Sequence, residues 1–137
     1  EDFVNRVAKL PLKFHPGTRQ QYSIAVDLTG LIIERLSGQS LDKYFSENIF
    51  KPLGMKDTFF QVPTGKRDRF LTRYRYDIKK QYPIEYQKIP RQAMSDFIDV
   101  SMFSGGGGLV STAMDYMIFA ESLRNGGIYN GQRILSY

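Results

Sequence analysis

The hydrophobic and polar positions of the chain predict a helix from about residue 24 to residue 36 that is apolar around most of its circumference. Its polar residues share one stripe with a glycine: Asp27, Gly30 and Glu34. A helix with so little polar surface is expected to be buried on most of its sides. We expect Ser23 to cap its N-terminus and Gly38 to end it.

A second helix is predicted from about Leu41 to Phe50, where apolar residues again recur on one face. Ser40 is its expected N-cap, because a serine side chain can accept a free backbone N–H at a helix start. Pro52 is expected to stop it, since proline has no N–H to continue the helix. The end of a shorter helix is expected before Pro11.

The third predicted helix runs from about Ala113 to Arg124. Thr112 and Asp115 stand three residues apart at its start, which is the spacing of a capping box. Two glycines at 126–127 are expected to close it. The Asn130–Gly131 pair beyond them is a strong signal for a two-residue hairpin turn.

Between these helices the pattern becomes strand-like. Apolar and polar residues alternate from Phe70 to Tyr76, which predicts a strand, and residues 82–89 are its expected pairing partner. The sequence His-Pro-Gly-Thr at 15–18 predicts a tight turn, because proline and glycine supply the backbone angles that such a turn needs. Four consecutive glycines at 105–108 predict another turn.

The composition narrows the chemistry that the chain can carry. Its 137 residues are 42% apolar, which is enough for a core, and they include one histidine, His15, and no cysteine. Disulfides, cysteine nucleophiles and thiolate metal sites are therefore excluded. No carboxylate cluster has the spacing of metal ligands, so no metal site is expected. No apolar run is long enough to span a membrane.

The net charge of +5 is concentrated in one segment, because residues 66–91 hold nine Lys/Arg against three Asp/Glu. Aromatic residues alternate with these cations, and such a pattern can follow a nucleic-acid backbone and stack bases. A solvated hairpin also needs one polar face, and we favour that interpretation. Nucleic acid is therefore only an alternative partner.

Two long segments, in a fixed order, resemble the β-lactamase-related serine hydrolases, which include class C β-lactamases, DD-peptidases, D-aminopeptidases and esterases. The first is FHPGTRQQYS followed by DLTGLIIERLSGQSLDKYFSENIFKPLGMKDTFF, and the second is GGGGLVSTAMDYMIFAESLRNGGIYNGQRILS. The resemblance implies an α+β domain of the β-lactamase/transpeptidase-like fold. Residues 1–137 are then expected to be the central part of one such domain, truncated at both ends, mostly from the helical lobe with a short β-hairpin region.

Tyr22 lies where this family places the tyrosine of its second catalytic motif. There the tyrosine works with the serine and lysine of an S-x-x-K helix, which the resemblance places before Glu1, and a third motif would follow Tyr137. The resemblance thus implies an acyl-enzyme hydrolase without metal or cofactor, and it assigns one catalytic residue to this chain, Tyr22. A lysine ammonium favours the phenolate form of a nearby tyrosine, which could then take a proton from the serine. The simpler alternative is a hydroxyl that only fastens the turn to the helix.

The residues after Tyr22 indicate the class of substrate. Penicillin-recognising members carry Tyr-x-Asn, whereas Ile24 replaces the asparagine here and cannot hydrogen-bond a substrate amide. The pattern of Tyr22, Ser23 and Asp27 resembles the esterase-type branch. The expected substrates are small-molecule esters or small amides rather than β-lactams.

Other motifs are explained more simply. Ser40 and Lys43 match S-x-x-K, but Ser40 is accounted for as an N-cap and Lys43 as a solvated side chain. The glycine run matches neither G-x-G-x-x-G nor a P-loop, so a structural turn is favoured over a phosphate site. Two other functions stay open: a non-catalytic relative that uses the fold for binding or assembly, and a nucleic-acid-binding module using residues 66–91.

Overall fold

The computed structural model describes residues 2–85 and 97–136, a helix-rich chain with two short antiparallel hairpins. Its helices and strands are α1 Asp2–Ala8, α2 Ala25–Ser37, α3 Leu41–Phe45, α4 Lys51–Leu53, β1 Tyr74–Asp77, β2 Tyr82–Glu85, α5 Ala113–Arg124, β3 Ile128–Tyr129 and β4 Gln132–Arg133. A π-helical turn, Ser46–Phe50, joins α3 to α4, and a 3-10 helix covers Thr64–Arg69. None of the helices in this part of the chain is long and apolar enough to cross a membrane.

The polar stripe of α2 faces the rest of the described chain, and part of its apolar surface faces outward. Gly30 is buried, and Asp27 and Glu34 on the same stripe are half-buried. Three apolar side chains are 51%, 56% and 84% exposed: Val26, Ile32 and Leu36. The prediction of a mostly buried helix is therefore wrong for the described residues. The periodicity shows which residues share a face, but it does not show which face finds a partner.

The caps of α2 and α3 also differ from the prediction. The N-cap residue of α2 is Ile24, with φ −69° and ψ 11°, so the hydroxyl of Ser23 lies one residue too early to act as the cap. Ser40 is the N-cap residue of α3, as predicted, but its side chain makes no capping hydrogen bond. Glu34 Oε1 accepts the N–H of Leu41 instead, at 2.8 Å.

The second predicted helix continues through Pro52 because a π turn widens it first. The N–H of Lys51 donates to Ser46 O, five residues back rather than four. A wider turn accommodates proline, which cannot donate an N–H and whose ring crowds the preceding carbonyl groups. The helix ends at Gly54, whose φ of 73° is left-handed.

The third helix and the hairpin after it are confirmed as predicted. Thr112 Oγ1 accepts the N–H of Asp115 at 3.2 Å, at the start of α5. The turn between β3 and β4 has φ values of 46° at Asn130 and 77° at Gly131. Positive φ at both central residues is the geometry of a type I′ hairpin turn.

The strand-like middle segment forms a smaller hairpin than the alternation predicts. β1 pairs with β2 in an antiparallel register that places Tyr76 opposite Pro83. The predicted strand from Phe70 therefore forms only in its last part, Tyr74–Asp77. Residues 86–89 of its expected partner lie outside the described residues.

The core joins the helix pair α3–α4 to α5 and the last hairpin. Phe50, Leu53 and Met55 are its buried residues. Partly buried side chains pack around them: Phe45, Ile49, Ile118, Phe119, Tyr129 and Ile134. Beyond the core, Phe59 and Val110 exchange both backbone hydrogen bonds, at 2.9 and 2.8 Å. The two segments that resemble the hydrolase family are thus in direct contact.

Candidate active site

Tyr22 lies between a tight turn and the start of α2. The backbone N and Oγ1 of Thr18 both donate to His15 O, at 3.2 and 2.7 Å, and Gly17 has a φ of 83°. The turn predicted at 15–18 is therefore confirmed. Since α2 begins at Ala25, Tyr22 is held on a short connection between two ordered elements.

A cleft of about 520 Å³, the Tyr22 cleft, is formed by two parts of the chain that are distant in sequence. The part at the start of α2 contributes five residues: Tyr22, Ser23, Ile24, Val26 and Asp27. The second part contributes apolar residues such as Val100 and Met102, together with the glycine loop, Ser104–Gly108. The Tyr22 side chain is 90% exposed, so a molecule in this cleft can reach it.

Asp27 holds the glycine loop against α2. Its Oδ1 accepts from Ser104 Oγ at 2.5 Å and from Gly106 N at 3.3 Å. Gly105 approaches α2 so closely that a Cβ there would lie 2.5 Å from Val26 O. The glycine run is therefore a closely packed turn, as the structural interpretation of the sequence predicted.

A second polar network ties the start of α5 to the chain after α4. Asp115 Oδ2 accepts from Asp57 N at 2.7 Å and from Thr58 Oγ1 at 2.9 Å. The carboxylate of Asp57 in turn pairs with Lys66 at 2.7 Å and with Arg69 at 2.9 Å. Hydrogen bonds from Arg69 and Lys66 lower the pKa of Asp57 to about 2. Asp57 therefore stays ionised far into the acid range and serves as a structural anion.

Three cations of the basic segment contact protein groups at separate places. Lys66 and Arg69 bind Asp57, and the guanidinium of Arg73 lies 5.1 Å from the centre of the Phe97 ring. The nucleic-acid alternative needs one continuous exposed face of cations and aromatic rings. These three cations instead contact protein groups, which disfavours that alternative.

The other candidate residues, Ser40, Lys43 and His15, do not line the Tyr22 cleft. Ser40 occupies the predicted N-cap position of α3, although its side chain makes no capping hydrogen bond. Within residues 2–85 and 97–136, no three His, Asp or Glu side chains are grouped closely enough to hold a metal ion.

The family model for β-lactamase matches residues 1–136. The chain belongs to the β-lactamase family. Relatives that match the chain include an esterase and an N-acetylmuramyl-L-alanine amidase. The solved structures similar to this chain have the β-lactamase/transpeptidase-like fold. The family and the fold class expected from the two long segments of the sequence are thereby confirmed.

Individual relatives match nearly the whole chain but only part of their own length. Protein Rv1367c of Mycobacterium tuberculosis is 35% identical over 130 residues, which cover 95% of this chain and 31% of that protein. Esterase EstB of Burkholderia gladioli is 30% identical over 135 residues, with 90% and 34% covered. The structure of EstCE1, a hydrolase with promiscuous acyltransferase activity, matches with a TM-score of 0.73 at 27% identity, covering 93% of this chain and 36% of that one. The chain spans about a third of the length of the curated relatives it matches.

Sequence reasoning named Tyr22 but missed the contact between Asp27 and Ser104. A signal for Asp27 was present, because it shares a stripe with Gly30 on a helix that is otherwise apolar. A small residue and a carboxylate on one stripe indicate that another backbone approaches there. No local signal identifies Ser104, since its partner lies 77 residues away in sequence.

Proposed function

We propose that Tyr22 is the proton-transferring residue of a serine hydrolase that acts on small esters or amides through an acyl-enzyme. The observation that carries this proposal is the placement of Tyr22. Its side chain is exposed and lines a cleft beside a closely packed glycine loop in a chain of the β-lactamase family. The resemblance of the sequence to that family supports its assignment to the second catalytic motif. The serine and lysine would come from an S-x-x-K segment before Glu1 of a longer protein that contains residues 1–137.

In the proposed reaction, the serine hydroxyl attacks the carbonyl carbon of the substrate while Tyr22, as phenolate, accepts the serine proton. The lysine ammonium favours the phenolate before the attack. Tyr22 then passes the proton to the departing alkoxide or amine as the tetrahedral intermediate collapses to the acyl-enzyme. Water attacks the acyl-enzyme in the second half-reaction, with Tyr22 again accepting a proton and returning it to the serine.

The lining of the Tyr22 cleft supports an ester with an apolar acyl group as substrate. Ile24, Val100 and Met102 all line it, and none of their side chains can hydrogen-bond a substrate amide. A β-lactam ring with its amide side chain would leave polar atoms unpaired against such a surface, which is costly. The names of EstB, an esterase, and EstCE1, a hydrolase, agree with this choice.

Trapping of the acyl-enzyme tests the proposal. Full-length protein mixed with 4-nitrophenyl butyrate should release nitrophenolate, and the acid-quenched protein should gain the mass of one butyryl group on the upstream serine. Folded full-length protein that shows neither turnover nor an adduct with short-chain esters and amides would contradict the proposal and favour a non-catalytic relative.

Residues 1–137 alone provide the second arm of this test. They should be inactive, because the proposed nucleophile lies outside them. Ester hydrolysis by residues 1–137 above the level of their Ser40→Ala variant would instead make Ser40 the nucleophile, and the assignment of an upstream serine would be wrong.

A further inference from the structure

We infer that Asp27 is a positioning residue, which ties the glycine loop to α2 and thereby fixes the wall of the Tyr22 cleft against which the apolar part of the substrate packs. This inference rests on the proposed function for its substrate. It adds to that function a residue that controls substrate fit without touching the reacting atoms.

The first support is that Asp27 joins the two parts of the chain that form the cleft. Asp27 lines the cleft at the start of α2, and the glycine loop, Ser104–Gly108, contributes lining residues from the second part. Asp27 Oδ1 accepts both Ser104 Oγ and Gly106 N, at 2.5 and 3.3 Å. One carboxylate oxygen therefore fixes a side chain and a backbone amide of the glycine loop to the first turn of α2.

The second support is the packing at this contact, which is too close for a side chain at Gly105 or Gly106. A Cβ at Gly105 would lie 2.5 Å from Val26 O, and one at Gly106 would lie 2.9 Å from Asp27 Oδ2. The loop can approach α2 only because these residues are glycines. Ordering a glycine-rich segment costs conformational entropy. The hydrogen bonds from the loop to the Asp27 carboxylate offset that cost.

The third support is that Asp27 serves no other described role. It lies in the first turn of α2, where an acidic side chain often caps its own helix, yet α2 has no side-chain cap. Its partner Ser104 is 77 residues away. Asp27 does not cap its own helix and instead bonds a distant loop, so we expect it to help fix the position of that loop.

Glu34 offers a matched control on the same stripe of α2. It also bonds another element through one carboxylate oxygen, at 2.8 Å from Leu41 N, but it is not among the residues that line the Tyr22 cleft. Asp27→Ala and Glu34→Ala both remove a tie between α2 and another element. Only Asp27→Ala should change the position of the glycine loop that lines the Tyr22 cleft.

The test compares the kinetics of these variants in the full-length protein with 4-nitrophenyl butyrate. Asp27→Ala should raise KM by roughly 3- to 10-fold while kcat changes less than about 3-fold, the loss expected when one or two hydrogen bonds no longer hold a binding wall. Asp27→Asn keeps an acceptor oxygen and should recover part of the loss. Glu34→Ala should lower Tm without changing KM.

If Asp27→Ala fails to fold, Ser104→Ala tests the same contact from its other partner. It removes only the hydroxyl donor, and it should raise KM in the same direction as Asp27→Ala. If Ser104→Ala, and Asp27→Ala where it folds, leave KM unchanged, or lower kcat at constant KM, the inference is wrong.

Hydrogen exchange separates this inference from the proposed function. The backbone amides of 105–108 should exchange faster in Asp27→Ala, or in Ser104→Ala, than in Glu34→Ala, whether or not the protein hydrolyses esters. If the wild-type protein hydrolyses no ester but the amides of 105–108 exchange faster in these variants, the proposed function is refuted. The contact between Asp27 and the glycine loop is then still supported. Unchanged exchange at 105–108 would refute the tie itself.

Discussion

Glu34 caps a helix other than its own, because its Oε1 accepts the N–H of Leu41 at the start of α3 at 2.8 Å. Leu41 is fully buried, so its amide has no water to bond instead. Ser40, which stands at the N-cap position, makes no capping hydrogen bond with its side chain. The junction of α2 and α3 therefore depends on a carboxylate seven residues upstream.

Replacing the two candidate caps in the full-length protein should give unequal losses of stability. Glu34→Ala should lower the free energy of unfolding by about 1–3 kcal/mol, because it leaves a buried N–H unpaired. Ser40→Ala should change it by less than about 0.5 kcal/mol, since no described hydrogen bond is lost. Chemical denaturation measures both. Equal losses, or a larger one for Ser40→Ala, would show that the serine is the cap.

Replacing either of two glycines in the glycine loop with alanine should change the stability of the protein by very different amounts. A Cβ at Gly105 would meet Val26 O at 2.5 Å, whereas a Cβ at Gly107 has nothing within 4 Å. Gly105→Ala should destabilise the full-length protein by about 1–3 kcal/mol, the usual cost of forcing atoms into a packed contact. Gly107→Ala should stay within about 0.5 kcal/mol of wild type. Similar melting temperatures for the two variants would mean that the loop is not packed against α2.

The ion pairs of Asp57 should make stability depend on pH in the acid range. Hydrogen bonds from Arg69 and Lys66 lower the pKa of Asp57 to about 2, below the value of a carboxyl in an unfolded chain. Its contribution is therefore present above about pH 4 and is lost as the pH falls from there through about 2. The Tm difference between wild type and Asp57→Asn should shrink over that interval.

Salt provides the control for this measurement. The side chains of Lys66 and Arg69 are 36% and 57% exposed, so high salt should screen the pairs and reduce the Tm difference at pH 7. A Tm difference that stays constant from pH 7 to pH 2 would contradict the role given to Asp57.

Local signals in the sequence were sufficient for the elements that depend on near neighbours. The start of α5 follows from Thr112, which caps the helix by accepting the N–H of Asp115, three residues later. The last hairpin follows from Asn130–Gly131, because few other residue pairs tolerate the positive φ values of its turn. The family was predicted from the order of two long segments, which carry more information than any single motif, and the proposal of Tyr22 rests on the same resemblance.

What the sequence could not predict depends on partners far along the chain. The pattern predicted a helix buried on most of its apolar sides, yet the polar stripe that holds Asp27 and Glu34 is the one that bonds Ser104 and Leu41. A hydrophobic pattern gives the angular position of each side chain but not the surface that it meets. The cap from Glu34 was missed for the same reason, since a serine next to the helix start is the stronger local signal.

The central claim is that the hydroxyl of Tyr22 transfers the proton during acylation. Phenylalanine keeps the ring and removes only that hydroxyl, and the side chain is 90% exposed, so Tyr22→Phe should leave Tm almost unchanged. Tyr116→Phe is the matched control, because Tyr116 is a second exposed tyrosine that lies on α5 away from the Tyr22 cleft.

The most direct measurement is the single-turnover rate of acylation of the full-length protein by 4-nitrophenyl butyrate, followed by nitrophenolate release. Tyr22→Phe should slow acylation by roughly 10²- to 10⁴-fold, the usual contribution of a general acid–base residue, and Tyr116→Phe should acylate at the wild-type rate. A wild-type acylation rate in folded Tyr22→Phe would contradict the mechanism and reduce Tyr22 to a structural residue at the edge of its cleft.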